Sequence, residues 1–169
     1  MTTMTEPTRA TKQVNSVYIR ATPQAIWDAI TTPEWTNRYG YGGYVEFEDF
    51  TPGAAFRVHA SEEFLEAGAP DVIIDGEVLE ADPPRRLVQT WRMLMDPDML
   101  KEGFTRLTYE IEPREGGSSK LTVIHELDDA PKLAVLVGGG MEDQGAGGGH
   151  AWTLSDLKTL LETGARLSG

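Results

Sequence analysis

Cysteine is absent from the 169-residue chain, which excludes disulfides, thiolate-ligated zinc and any cysteine nucleophile. Long hydrophobic runs are absent as well: nowhere do the roughly 18 consecutive apolar residues of a membrane-spanning helix occur together. The Thr-rich opening, Met1 to Gln13, has neither the apolar core nor the preceding basic run of a secretion signal. A cytoplasmic protein that does not insert into a membrane is expected. Basic charge is scarce too, with 15 Lys and Arg against 27 Asp and Glu, a formal net charge of −12. That surface repels polyanions, so nucleic acid is not an expected partner, and the acidic surplus reads as a solubility feature.

Missing motifs narrow the chemistry further. There is no Gly-x-Ser-x-Gly elbow for a serine nucleophile, and no glycine cluster is followed by the lysine of a phosphate-binding loop. The histidines His59, His125 and His150 have no metal-ligand spacing. No metal or cofactor is expected.

What is present is alternation. Val14 to Arg20 predicts a first strand with Val17 and Ile19 on one face. Thr22-Pro23 then gives a helix-start pair, because Thr caps free N–H groups and Pro suits the first helical position. The helix Pro23 to Ile30 carries Ile26, Ala29 and Ile30 on one side. Thr32-Pro33 repeats the signal and predicts a short second helix through Trp35 and Arg38. From Tyr44 the period becomes two. Strands are predicted over 44–48, 55–59, 72–80, 86–93, 105–112 and 120–127. Thr51-Pro52-Gly53-Ala54 has Pro and Gly in the order of a type II turn, and Ala81-Asp82-Pro83-Pro84 interrupts the two longest strands.

Short connections imply antiparallel pairing, and a one-sided sheet needs a cover. The cover is a closing helix after Gly145 to Gly149. Trp152, Leu154, Leu157, Leu160 and Leu161 make its apolar stripe, Ser155, Asp156, Lys158 and Glu162 lie elsewhere, and Gly164 caps it. The expected organisation is a flexible tail over 1–13, one domain over 14–164 and a short tail over 165–169.

Three segments, Ile19 to Trp35, Gly76 to Trp91 and Gly148 to Gly164, together resemble the SRPBCC (START-like) superfamily. Within it they resemble bacterial homologues of the activator of heat-shock-protein-90 ATPase. The resemblance implies an α+β helix-grip fold: a curved antiparallel sheet wrapped around a long C-terminal helix, with two short helices after the first strand. It also implies a cavity between sheet and helix, and a link to the stress response. It does not fix an activity, since the superfamily holds lipid carriers, polyketide cyclases and cochaperones.

The candidate ligand-binding residues are Trp35, Tyr39, Trp91, Met93, Tyr109, His125 and Trp152. Aromatic rings and a methionine suit an adaptable apolar wall. His125 shares the inward face with Leu121 and Val123, so it is either a satisfied core histidine, bonded to Tyr109 or a backbone carbonyl, or an orienting group at the cavity wall. The expected partner is a small hydrophobic, lipid-like or aromatic molecule, and a homodimer is left open. The alternatives are a cyclase- or dehydratase-like enzyme with His125 as base, and a cochaperone-like protein-binding module. The glycine-rich stretch 138–149 gives the last helix a flexible entry or acts as a gate.

Overall fold

The computed structural model describes residues 12–41, 43–145 and 147–167. The expectation of a flexible tail falls, for residues 1–11, outside the described residues. Strand β1 (Lys12–Ile19) starts two residues before its predicted beginning, and Gln13 already contributes a bond, donating from Nε2 to the Ala134 carbonyl at 2.8 Å.

Helix α1 (Pro23–Thr31) forms where the Thr-Pro signal lies, with Thr22 Oγ1 accepting from the Ala25 amide at 3.1 Å. Helix α2 (Pro33–Thr36) is a single turn, shorter than predicted. Its Thr32 hydroxyl donates to the Asp28 carbonyl of α1 instead, so the second helix has no side-chain cap.

Strands β2 (Tyr44–Phe47), β3 (Ala55–His59), β4 (Val72–Asp82), β5 (Arg86–Met93), β6 (Thr105–Pro113) and β7 (Ser119–Glu126) follow within two residues of their predicted bounds. Ala81 and Asp82 do not interrupt the ladder as expected: they pair with Leu87 and Arg86, and the break comes at Pro83-Pro84. Gly53, at φ 93°, adopts the positive φ of a type II turn, and the Ala54 amide donates back to the Thr51 carbonyl. With β1 the strands make one antiparallel sheet in the order β1-β7-β6-β5-β4-β3-β2. Register shifts at Val58/His59 and Val78/Glu80 are bulges, which add bend to strands that must wrap a helix.

Three helices were not expected: α3 (Glu62–Glu66), α4 (Pro97–Glu102) and α5 (Pro131–Val137). Two carry readable starts. Ser61 accepts from the Phe64 amide, and Asp96, before Pro97, accepts from the Asp98 and Met99 amides.

Helix α6 (Gly149–Thr163) closes the fold, ending at a left-handed Gly164 whose amide reaches the Leu160 carbonyl. It packs against β1, where Lys158 Nζ donates to the Tyr18 carbonyl and Glu162 accepts from the Arg20 amide. Leu154, Leu157 and Leu160 are buried as expected. Asp156 corrects the predicted polar face, because its side chain is fully buried. After Gly164 the chain folds back, so that the Leu167 amide, the Gly40 amide and Arg166 Nη2 all donate to this carboxylate, at 2.8, 2.9 and 3.1 Å. The architecture is the α+β helix-grip arrangement.

Candidate functional site

The inner face of the sheet is not filled along its whole width. Where α6 lies against β1 it is packed, with Leu154, Leu157 and Leu160 buried. Between β2–β6, the end of α5 and the glycine-rich approach to α6 lies a cavity of about 590 Å³. Alternation in β5 sends Leu87, Gln89, Trp91 and Met93 inward, and in β6 Leu107, Tyr109 and Ile111. Phe47 and Phe56, 5.0 Å apart between ring centroids, come from β2 and β3. No Asp, Glu, Lys or Arg is among the described residues that line the space. Cavities of this volume with apolar walls and a few polar groups accommodate small organic molecules.

Of the residues singled out from sequence, Tyr39, Trp91, Met93 and Tyr109 line the cavity. Trp35, His125 and Trp152 do not. Trp35 sits on the one-turn helix α2 and takes the Arg38 guanidinium over its ring at 4.5 Å. Trp152 stacks on Tyr41, ring centroids 5.6 Å apart, and so braces the wall from behind. His125 is fully buried behind Trp91, which it meets edge-on at 5.2 Å.

His125 resolves the sequence ambiguity on geometry. The Thr105 hydroxyl donates to the Trp91 carbonyl at 2.8 Å, so its oxygen is left to accept from His125 Nε2–H, also at 2.8 Å. His125 Nδ1 is then an acceptor, and it accepts from His150 Nε2–H at 3.0 Å. This partner set, Thr105 and His150, replaces the expected Tyr109 or backbone carbonyl. Burial holds both imidazoles below their ordinary pKa, His125 at about 3, where the neighbouring His150 adds to the effect, and His150 at about 4. Burial also pushes the Tyr109 hydroxyl up to about 12 and that of Tyr39 higher still, with Tyr109 and Asp156 adding to the latter. Near neutral pH the site is uncharged throughout.

Two wall residues escaped the sequence reading. His150 opens α6 and lines the cavity while holding His125 from behind. Gln89 is buried, and neither its amide nitrogen nor its oxygen has a partner. The period-two pattern Leu87-x-Gln89-x-Trp91-x-Met93 carried that signal, since it requires a glutamine on an apolar face. The glycine-rich stretch is wall rather than spacer: Gly145, Gly147 and Gly149 all line the space. At Gly149, with φ 70°, a Cβ would stand 2.1 Å from the Val137 carbonyl oxygen, so only glycine lets this segment approach α5. No group of three His, Cys, Asp or Glu among the described residues is placed to hold a metal ion, and none of the described helices is long and apolar enough to cross a membrane.

The family model described as activator of Hsp90 ATPase homolog 1-like protein matches residues 20–162. The chain belongs to that family. Solved structures agree on its fold. An Hsp90 activator from Plasmodium falciparum is 19% identical with a TM-score of 0.61, over 89% of this chain and 96% of that one. The Aha1 dimer from Colwellia psychrerythraea is 15% identical with a TM-score of 0.59, over 90% and 97%. CalU16 from Micromonospora echinospora is 22% identical with a TM-score of 0.54, over 78% and 69%. Curated protein sequences yield no match. At these identities the likeness of this Hsp90-activator homologue to its neighbours is one of fold.

Proposed function

We propose that this member of the Hsp90-activator-like family binds a small, uncharged, largely apolar molecule in the cavity between the sheet and α6. One observation carries the reading: about 590 Å³ of space with aromatic and methionine side chains on its wall and no Asp, Glu, Lys or Arg among the described residues that line it. The enzyme alternative required His125 as a base. That ring is sealed behind Trp91 and Thr105, and no ion pair joins His150, the imidazole on the wall, to a carboxylate among the described residues. Binding without turnover is the simpler account. The protein is read as cytoplasmic, and pairing of two copies belongs to the same reading by likeness to the Colwellia dimer.

Native mass spectrometry of the purified protein tests this directly. A co-purified or added apolar compound should appear at one per chain and leave on gentle activation. A protein that stays bare after incubation with a panel of apolar compounds contradicts the reading.

A specific feature favours a second, protein-binding reading. Leu100 and Phe104, on and just after α4, are 39% and 53% exposed, the Arg92 guanidinium lies 4.2 Å over the Phe104 ring, and Asp96 and Asp98 pair with Lys132 nearby. Exposed apolar side chains ringed by charge are what a docking site requires. If this face acts as the family's activator does, Phe104→Glu should abolish stimulation of an Hsp90 ATPase. Stimulation that is absent from the unaltered protein, or unaffected by the change, removes this reading.

A further inference from the structure

Gln89 stands on the middle strand of the cavity wall. Its register partners are Val78 on β4 and Leu107 on β6, and its neighbours along the same face of β5 are Leu87 and Trp91. None of these side chains except the Trp91 indole N–H carries a polar group. A glutamine amide has two N–H donors and an oxygen that accepts twice, and here the residue is 1% exposed with nitrogen and oxygen both unpartnered. The other buried polar residues of this region are served: Tyr39 donates to the Ala29 carbonyl at 3.0 Å, and His125 is bonded at both nitrogens. Burying an amide without partners is unfavourable, so the group needs a partner that none of the described residues supplies.

A second polar group stands close by. Tyr109 lies opposite Leu87, two residues along β6 from Leu107, which makes it the diagonal neighbour of Gln89 on the same face. Its hydroxyl makes no hydrogen bond to any of the described residues, and burial keeps the phenol protonated. Gln89 and Tyr109 thus stand side by side with unpartnered donors and acceptors on a largely apolar wall. Among the described residues no Lys or Arg lines the cavity to balance a carboxylate.

We infer that Gln89, with Tyr109, reads a neutral carboxamide or lactam edge on an apolar ligand. A group with an N–H beside a C=O satisfies the glutamine amide reciprocally, acceptor to donor and donor to acceptor. This rests on the cavity-binding reading above, and it narrows the ligand class from any apolar molecule to an amide-bearing one. A carboxylate of the same shape is rejected, because ionised oxygens would find donors but no compensating charge in a buried site.

Calorimetric titrations with three probes of one shape test it: naphthalene-2-carboxamide, 2-isopropenylnaphthalene and 2-naphthoate. Gln89→Met, which keeps length and removes the amide, should weaken the carboxamide about tenfold, as two hydrogen bonds of ordinary net strength require. The hydrocarbon should change by less than about twofold and the naphthoate should bind weakest to the unaltered protein. Equal effects on carboxamide and hydrocarbon, or none on the carboxamide, overturn the inference while leaving a cavity that binds apolar molecules. Failure of all three probes to bind overturns the cavity reading itself. If Gln89→Met does not fold, the Gln89 side-chain amide NMR signal of the unaltered protein decides. It should shift with the carboxamide and not with the hydrocarbon, and the reverse pattern, or no shift, refutes the assignment.

Discussion

His125 and Gln89 stand on one row across the inner face of the sheet, with Leu107 of β6 between them. Both are polar and almost without exposure. At His125 the first turn of α6 supplies His150 from above and Thr105 bonds the other nitrogen, so the residue is part of a packed core. At Gln89, two strands away, none of the described residues partners the amide, and the residue borders the cavity. The same fold thus satisfies one buried polar group from within the chain and leaves the other, beside the cavity, without a partner among the described residues. The difference separates structural polar groups from candidate ligand-reading ones. The wall is strand on one side and glycine-rich opposite, where Gly145, Gly147 and Gly149 bring backbone to the cavity edge.

The largest expected effect lies at the packed end. Leu157, 1% exposed, is expected to lose about 2–5 kcal/mol of stability on truncation to alanine, the range for a well-packed leucine. Met93→Ala, at the open end, should lose less than Leu157→Ala, because part of its surface already faces empty space. Urea denaturation measures both, and a larger loss at Met93 would erase the distinction between the two ends.

Next comes pH. His125 and His150 have folded-state pKa values lowered to about 3 and about 4, below the ordinary 6.5 of the unfolded chain. The unfolded state therefore binds more protons below pH 6.5, and stability is full above that value and falls as the pH drops toward 4 and 3. Each imidazole contributes a slope of up to about 1.4 kcal/mol per pH unit in that window. Between pH 6 and 5 ordinary carboxylates hardly titrate, so a loss of stability there belongs to the histidine pair. A denaturation midpoint that stays flat from pH 7 to 5 would mean that the pair is not buried neutral.

The smallest effects separate wall from surroundings. Trp35→Ala should leave the affinity of an apolar probe within about twofold, since that ring lies outside the cavity wall under Arg38. Trp152→Ala should weaken probe binding modestly, through Tyr41, which stacks on it and lines the cavity. A severe effect at Trp35 with none at Trp152 would misplace the site.

The sheet and its helical cover were legible because alternation and Thr-Pro starts are local signals that survive into the fold. Asp156 was misread because its partners, Gly40 and Arg166, are set by a chain reversal that helical periodicity does not describe. Helix α5 was missed because a run of glycines after it hides a short apolar helix that starts without a side-chain cap. Of the candidate residues, Tyr39, Trp91, Met93 and Tyr109 line the cavity, because large side chains on inward positions are visible in sequence. Trp35 and Trp152 lie off its wall, since size alone does not say which side of a wall a ring occupies. Gln89 carries its signal in the alternation of β5, but an amide is neither aromatic nor titratable, so residue type alone does not mark it.

The central claim is that the space beside β4 and β5 is a binding cavity. Titrating the protein with an apolar fluorophore, and repeating the titration with Ile74→Trp to fill the cavity from its wall, tests it most directly. Saturable binding at one probe per chain, quenching tryptophan emission and lost in the filled variant, is the expected result. Absence of saturable binding, or binding that persists unchanged when the cavity is filled, would contradict the account.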